Sequence, residues 1–282
     1  MAGTPVVAVL GRGVVPADTP ILTADDLGVL RGDGIFETVH VRAGEPWLLD
    51  EHLVRMARSA ARLELDLPDR DALAGLAATA YAGWPAGVEG ALRLVCTRGA
   101  EGGGPVTVFA RLAAVPEPVR AARRAGLAVA TATLGVTAAA RAGAPWLLGG
   151  VKALSYAVNM ASQRWAGSRE LDDVLWVSAD GYALEAPTSS LVWLAGGVLC
   201  TVPPDRTGIL AGITAGWLLD RAPELGWRSE LRMIRPADLP AADGVWLTSS
   251  VRGVAAVREL DGATLPASPH TATIQQLVGY PI

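Results

Sequence analysis

Lysine is almost missing from this chain. Of 24 basic residues in 282, 23 are arginine, and the single lysine is Lys152. Cysteine is nearly as scarce. Cys96 and Cys200 each lie in an apolar stretch and read as buried thiols. Two cysteines make no disulfide scaffold, so a reducing cytoplasm is the expected setting. The three histidines, His40, His52 and His270, are too scattered to suggest a metal site. The net charge of −4 gives no electrostatic case for nucleic acid or an anionic membrane. No uncharged apolar run is long enough to span a bilayer. The N-terminus lacks the basic stretch and apolar run of a secretory signal, so none is expected. There are no internal repeats, heptads or low-complexity tracts. What remains is a chain with 51% hydrophobic residues, long enough for a substantial core and for two domains.

The surviving lysine has an informative setting. A composition this rich in arginine replaces lysine wherever only a positive charge is needed. Arginine keeps its proton and cannot be a nucleophile, whereas lysine can once burial or a neighbour lowers its pKa. Lys152 therefore reads as a catalytic amine, most simply a Schiff-base lysine. The plainer alternative is a lysine left by chance on a surface. Against it, Lys152 follows Gly149-Gly150 and stands between apolar Val151 and Ala153, not on a charged face.

In chain order, residues 5–10 read as a strand and 20–32 as a loop with one helical turn. A strand over 34–42 is turned by Ala43-Gly44 into 45–49, giving a hairpin. Along its first arm Phe36, Thr38 and His40 share one face, and Glu37, Val39 and Val41 the other. An aromatic ring, a hydroxyl and an imidazole on one face suit a ligand pocket, and equally an ordinary half-exposed strand. Asp50 is expected to cap a helix from Glu51 to Leu63, with His52 and Arg55 on one flank. A second helix is expected over 70–84, and strands over 91–97 and 106–112. The intervening loop, 98–104, is glycine-rich but lacks the Gly-Lys-Ser/Thr ending of a phosphate loop. It is either a floppy hairpin tip or a lid. Pro116-Glu117-Pro118 marks the best linker. The expected organisation is a small N-terminal α/β domain over 1–115, a linker over 116–122, and a larger C-terminal domain over 123–282 carrying Lys152. The second half is read as a strand over 126–133, a helix over 153–165 and a strand over 174–177. Strands over 190–194 and 198–202 follow, in a meander with Glu185 at its centre. A helix opens at Gly212-Ile213-Thr214 and runs to Arg221. A last strand over 244–247 ends in Thr248-Ser249-Ser250.

These features converge on one cofactor. Backbone amides at a helix N-terminus together with small hydroxyls make a phosphate site. An amine, a phosphate site and a carboxylate are what hold pyridoxal 5′-phosphate. The order and spacing of these motifs resemble the class IV aminotransferases, the fold type IV pyridoxal phosphate enzymes. The resemblance runs through Gly32-Asp33-Gly34-Ile35-Phe36-Glu37-Thr38, Asp50 to Arg55, Val151 to Tyr156, Leu184-Glu185, Leu210 to Thr214 and Thr248 to Ser250. It implies a two-domain α/β fold like that of D-amino acid aminotransferase, α+β in the smaller N-terminal domain, with the cofactor between the domains. It also implies a homodimer whose partner contributes to the pocket. By resemblance Lys152 is the Schiff-base residue, Arg55 pairs with the cofactor phosphate, and Tyr156 lies near the ring oxygen. Glu185 is the acid on the pyridine nitrogen. Gly212, Ile213 and Thr214, with Ser249 and Ser250, are the amide and hydroxyl partners of the phosphate. Phe36, Thr38, His40 and Arg98 are the expected substrate-binding residues.

Within the family the pattern is most similar to aminodeoxychorismate lyase. Gly-Asp-Gly precedes Phe36, Glu-Thr follows it, and the glycine-rich loop follows Arg98. The implied activity is elimination from 4-amino-4-deoxychorismate to give 4-aminobenzoate and pyruvate, with Lys152 as carrier and base. Arg98 and His40 are candidates for the two carboxylates. Departures are Ser155 where the lyases often have Asn, and Ala215 where many relatives have Arg. An aminotransferase acting on branched-chain or D-amino acids is the alternative. A non-catalytic metabolite-binding protein of the same fold is a third reading.

Overall fold

The computed structural model describes residues 4–280. These form two compact units. One runs to Pro116 and includes Val151–Tyr156. The other takes Glu117–Gly150 and the chain from Ala157 onward.

The first unit contains β1 (Val6–Val9), β2 (Gly13–Val15), α1 (Leu27–Leu30), β3 (Gly34–Arg42), β4 (Glu45–Pro46), α2 (Leu49–Leu63), α3 (Arg70–Tyr81), β5 (Gly90–Thr97) and β6 (Thr107–Ala114). Its six strands pair antiparallel throughout, in the order β2-β1-β6-β5-β3-β4. Strand alternation decides which face is covered. Ile35, Glu37, Val39 and Val41 are fully buried on β3. Leu53, Met56 and Ala60 of α2, at helical spacing, are buried in the same core with Leu73 and Leu76 of α3. Each such aliphatic side chain contributes roughly 1.5–3 kcal/mol on burial.

Asp50 is not the cap that was expected. The helix starts at Leu49, and Leu48 precedes it in the left-handed region with no side-chain cap. Asp50 lies inside the first turn, where a carboxylate suits the helix dipole, and it pairs with Arg70 at 2.6 Å. α3 does have a capping side chain, Asp69, which accepts from the Ala72 amide at 2.8 Å. α3 stops at Tyr81, short of Trp84, because Ala82 leaves the helical region and Gly83 follows at φ +74°.

The second unit contains α4 (Glu117–Ala125), β7 (Leu127–Thr133), α5 (Ala140–Gly143), α6 (Ala157–Gly167), β8 (Asp173–Val177), β9 (Glu185–Ala186), β10 (Ser189–Ala195), β11 (Val198–Thr201), α7 (Pro204–Thr207), α8 (Ile213–Arg221), β12 (Arg228–Leu231), β13 (Gly244–Ser249), β14 (Gly253–Leu260), β15 (Ala263–Thr264) and α9 (Thr271–Val278). Its nine strands form a mixed sheet along β12-β11-β10-β13-β14-β7-β8, with β15 on β14 and β9 on β10. The β14–β7, β7–β8 and β11–β12 pairs are parallel. Leu175, Leu184, Leu191, Trp193 and Leu247 lie at the centre of its core.

Two stretches differ from the sequence expectation. Residues 117–125, in and beyond the expected linker, are helical, with Glu117 and Pro118 in the first turn and Arg123 and Arg124 in the last. Proline and an acid suit a first turn, and cations suit a last one. Residues 153–156 are not helical. Ala153 and Leu154 bond to β3 instead, and α6 begins only at Ala157. Among the described residues no helix is long and apolar enough to cross a membrane, and no group of side chains could hold a metal ion.

Candidate active site

In the first unit the lysine segment lies beside the start of β3. Ala153 bridges Ile35. The Phe36 amide donates to the Lys152 carbonyl at 3.0 Å, and the Leu154 amide to the Gly34 carbonyl at 2.8 Å. The Lys152 amide donates to Ser59 Oγ at 3.3 Å. This approach explains Gly32-Asp33-Gly34. A Cβ on Gly32 would lie 2.9 Å from the Ser155 Cα, and Gly32 already sits at φ +67°. A Cβ on Gly34 would lie 2.6 Å from both the Cys96 carbonyl and the Leu154 side chain. Only glycine leaves room for the lysine strand at both places.

The pairing puts Lys152 Nζ 4.4 Å from the centre of the Phe36 ring and 5.6 Å from that of Tyr156. The two rings meet edge to face at 5.1 Å. Lys152, Tyr156 and Phe36, expected separately as carrier, ring neighbour and substrate contact, are thus one aromatic corner around the amine. Thr38 is half-buried on the same face of β3.

Behind that strand, Glu37 anchors a buried network. Arg55 donates through Nε and Nη2 to the two carboxylate oxygens, each at 2.7 Å. His52 Nδ1 lies 2.7 Å from Glu37 Oε2. Burial pushes the Glu37 carboxyl up, but the Arg55 charge and the hydrogen bonds from Arg55 and His52 overcome it and hold it well below the usual carboxylate range. His52 is drawn below its ordinary value, first by burial and then by the charges of Arg55 and Lys152, against the pull of Glu37. The sequence placed His52 and Arg55 on one flank. The acid that holds both was visible only as a residue on the core side of β3.

His40 and Arg98 have partners inside the protein. His40 is fully buried, and its Nε2 lies 2.7 Å from Glu89 Oε2. Arg98 donates to Asp33 Oδ2 at 2.6 Å and to the Leu63 and Glu64 carbonyls at the end of α2. The loop after Arg98 is fastened at its base. Ala100 bridges Asp26, the Glu101 amide donates to the Asp25 carbonyl, and Glu101 pairs with Arg31 at 2.7 Å. A different arginine meets the aromatic corner. Arg93 pairs with Thr38 across β5 and β3, and its Cζ lies 5.8 Å from the centre of the Phe36 ring. Register with Thr38 is the signal that would have found it, and register is not written in either strand alone.

The second unit holds the remaining candidates. Glu185 is buried on β9, with Arg141 at 3.5 Å and the Leu210 amide donating to it at 3.2 Å. α8 begins at Ile213 after Gly212, with no side-chain cap on its first amides. A Cβ on Gly212 would fall 2.2 Å from Ser190 Oγ, and Ser190 pairs across the sheet with Thr248. The hydroxyls of Thr214 and Thr248 are buried and have no hydrogen-bond partner. Buried hydroxyls are normally satisfied. An uncapped helix start with unpartnered hydroxyl donors is the kind of place where anions bind. Ser190 was not among the residues expected from the sequence. The half-buried pair Ser249 and Ser250 sits in a braced turn. Arg123 donates to the Val251 and Arg252 carbonyls, Tyr280 donates to the Ser250 carbonyl, and Arg252 pairs with buried Asp173 at 2.6 Å.

The first unit thus holds a half-buried amine beside two aromatic rings, and the second a buried carboxylate and an uncapped helix start. Residues 34–260 match the class IV amino-transferase family model, and the chain belongs to this family of pyridoxal phosphate enzymes. It is 39% identical over 280 residues to a Mycobacterium tuberculosis protein named as a bifunctional aminodeoxychorismate lyase and D-amino acid transaminase, covering 96% of this chain and 97% of that one. A solved Mycobacterium tuberculosis structure, described as a hypothetical aminotransferase in its PLP-bound form, is 39% identical, superposes with a TM-score of 0.94 and covers 97% of each chain. A fold IV transaminase structure from Curtobacterium pusillum is 36% identical, with a TM-score of 0.91 and 97% of each chain covered.

Proposed function

We propose that this class IV enzyme is a 4-amino-4-deoxychorismate lyase, forming 4-aminobenzoate and pyruvate. The observation that carries the reading is the aromatic corner, with Lys152 Nζ over Phe36 and Arg93 against the same ring. A flat ring bearing an amine and carboxylates fits such a corner better than an aliphatic side chain. Likeness to the bifunctional mycobacterial protein along nearly the whole chain supports the same reading.

Lys152 Nζ would carry the cofactor, and Tyr156 would flank it. Arg55, fixed in place by Glu37, contributes charge to the phosphate. In the second unit Gly212, Ile213 and Thr214 offer α8 amides and a hydroxyl to the phosphate, with Thr248, Ser249 and Ser250 as further donors. Glu185 would hold a proton on the pyridine nitrogen. Bound pyridoxal phosphate supplies an electron sink. With the substrate amine in place, Lys152 Nζ would take the proton from the amine-bearing carbon. The C–O bond to the enolpyruvyl group then breaks with its electron pair going to oxygen, and the ring becomes aromatic. Arg93 binds a substrate carboxylate beside Phe36 and Thr38. Arg98 and His40, tied to Asp33 and Glu89, shape the pocket edge.

D-amino acid transamination is the second reading, favoured by the other half of the mycobacterial protein's name. The chain acts as a homodimer in the cytoplasm. In a single chain Trp146 is 79% exposed, and Leu147, Leu30 and Val29 are bare as well, which fits surface awaiting a second copy. Both cysteines are buried free thiols.

The test is to mix the holoenzyme with aminodeoxychorismate alone, in excess. Many turnovers of 4-aminobenzoate and pyruvate, with no keto acid added, are expected. No product, together with steady exchange between a D-amino acid and 2-oxoglutarate, would sink the lyase in favour of the transaminase.

A further inference from the structure

The Gly149-Gly150 pair ahead of the lysine has close neighbours in the second unit. A Cβ on Gly149 would lie 2.6 Å from the Arg141 carbonyl oxygen, and one on Gly208 would lie 2.8 Å from the Arg141 Cβ. Gly208 stands at φ +66°, and its carbonyl accepts from the Gly150 amide at 2.9 Å. Two glycines thus let two stretches of backbone close on one residue of α5, where any side chain would push it aside. That residue carries a guanidinium facing the buried carboxylate of this unit. Arg141 Nη1 lies 3.5 Å from Glu185 Oε1, and the two side chains are 24% and 10% exposed. Glu185 is fixed in turn on β9, opposite Ser190 of β10, and its Oε2 accepts from the Leu210 amide. A contact of 3.5 Å is longer than the roughly 2.7–2.9 Å of a charge-assisted hydrogen bond. Arg141 therefore acts on Glu185 as a charge more than as a donor.

We propose that Arg141 is a positioning residue for the ring proton: it stabilises Glu185 as the anion, so that the proton shared with the pyridine nitrogen stays on the nitrogen. This rests on the reading that Glu185 faces that nitrogen. Away from water, a protonated pyridine and a carboxylate tend to collapse to the neutral pair, with the proton on the carboxyl oxygen, because burial penalises both charges. A cation beside the carboxylate opposes that transfer. The ring then keeps its positive nitrogen, and with it its strength as an electron sink. Arginine suits the task because it does not itself give up a proton. Since Arg141 is partly solvated, its charge is screened, and its effect is a displacement of the shared proton, not an all-or-none change.

The test reads the proton, not turnover. The enzyme is reconstituted with pyridoxal phosphate carrying the heavy nitrogen isotope in its ring, and the ring resonance is recorded by NMR without substrate. Wild type should give the upfield signal of a protonated pyridine nitrogen. Arg141→Met and Arg141→Gln, two neutral variants of similar reach, should both move the signal downfield, toward the unprotonated form, with the cofactor still retained on dialysis. Arg141→Lys keeps the charge and should restore most of the wild-type position. Glu185→Gln should move the signal downfield by itself. In that background Arg141→Met should move it no further, since Arg141 acts through Glu185. An unmoved signal in both neutral variants overturns the role of Arg141, as does a lysine variant that shifts as far as they do. A further shift in the double variant also overturns it, because Arg141 would then reach the ring by another route. If Glu185→Gln alone leaves the signal at its wild-type position, the reading of Glu185 as the ring acid fails, and the role of Arg141 with it.

Discussion

Lys152 is half-buried against two rings, and its role depends on an amine that can lose its proton. Lys152→Arg should keep the fold, since the charge and the ring contacts survive, yet it cannot bond to the cofactor aldehyde. We expect no turnover and no visible band that borohydride removes. Normal turnover in this variant would remove the centre of the mechanism. Glu185→Gln tests the other pole. Glutamine still accepts the Leu210 amide but cannot hold a proton on the ring nitrogen. We expect the cofactor to stay bound through dialysis while kcat falls well beyond threefold. A fall of less than threefold, roughly 0.6 kcal/mol, would assign the ring acid to another residue. Thr214 and Thr248 give a prediction of opposite sign in the two states. Thr214→Val removes a buried hydroxyl that lacks a partner in the protein. An unsatisfied buried hydroxyl costs about 1–3 kcal/mol, so the cofactor-free variant should melt about 2–4 °C above wild type. Its cofactor affinity should fall about tenfold. A lower melting point in cofactor-free protein would show that Thr214 is satisfied within the protein.

At the scale of elements, the β3–α2 pair carries a pH dependence. His52 titrates below 6.5 in the folded state. Between the lowered folded-state pKa and 6.5 the unfolded chain binds a proton that the folded chain does not, so stability falls as pH falls below about 6.5. Glu37 acts in the same direction lower down. The folded state keeps it ionised below the ordinary value of 4.5, so its contribution is lost as the solution becomes more acid. Urea midpoints should drop from pH 7 to pH 5, and His52→Gln should flatten that drop. An equally steep drop in the variant would assign it to other groups. Much of this element was legible in the sequence. β3 was placed at its observed limits, because alternation and the Ala43-Gly44 turn are local signals. The helix after it was misplaced by two residues at its start, since the residue before it is Leu48, in the left-handed region and without a side-chain cap, where a capping rule looks for a polar residue. The lysine strand was read as helix for a related reason. Its local pattern is compatible with both, and the deciding hydrogen bonds come from β3, more than a hundred residues away in sequence. Arg93 was invisible for want of register. Arg98 was singled out by family pattern, although its closest partners, Asp33 and the end of α2, are structural.

At the scale of the whole molecule, ligand and stability are coupled. Pyridoxal phosphate binds the folded chain alone, so at a hundred times its dissociation constant it should add about 2.7 kcal/mol, read as a rise in melting temperature with cofactor concentration. The covalent layout has a further outcome. The first 116 residues are an unfinished piece, because six more that belong with them arrive only after another 34 have been made. On the ribosome, the edge at Ile35 and the bare carbonyl of Gly34 wait for Ala153 and Leu154 to emerge. A fragment ending at Pro116 should therefore be sticky by itself. A short synthetic peptide spanning residues 149–158 should fill the vacant edge and solubilise it, delivering the reactive amine in trans.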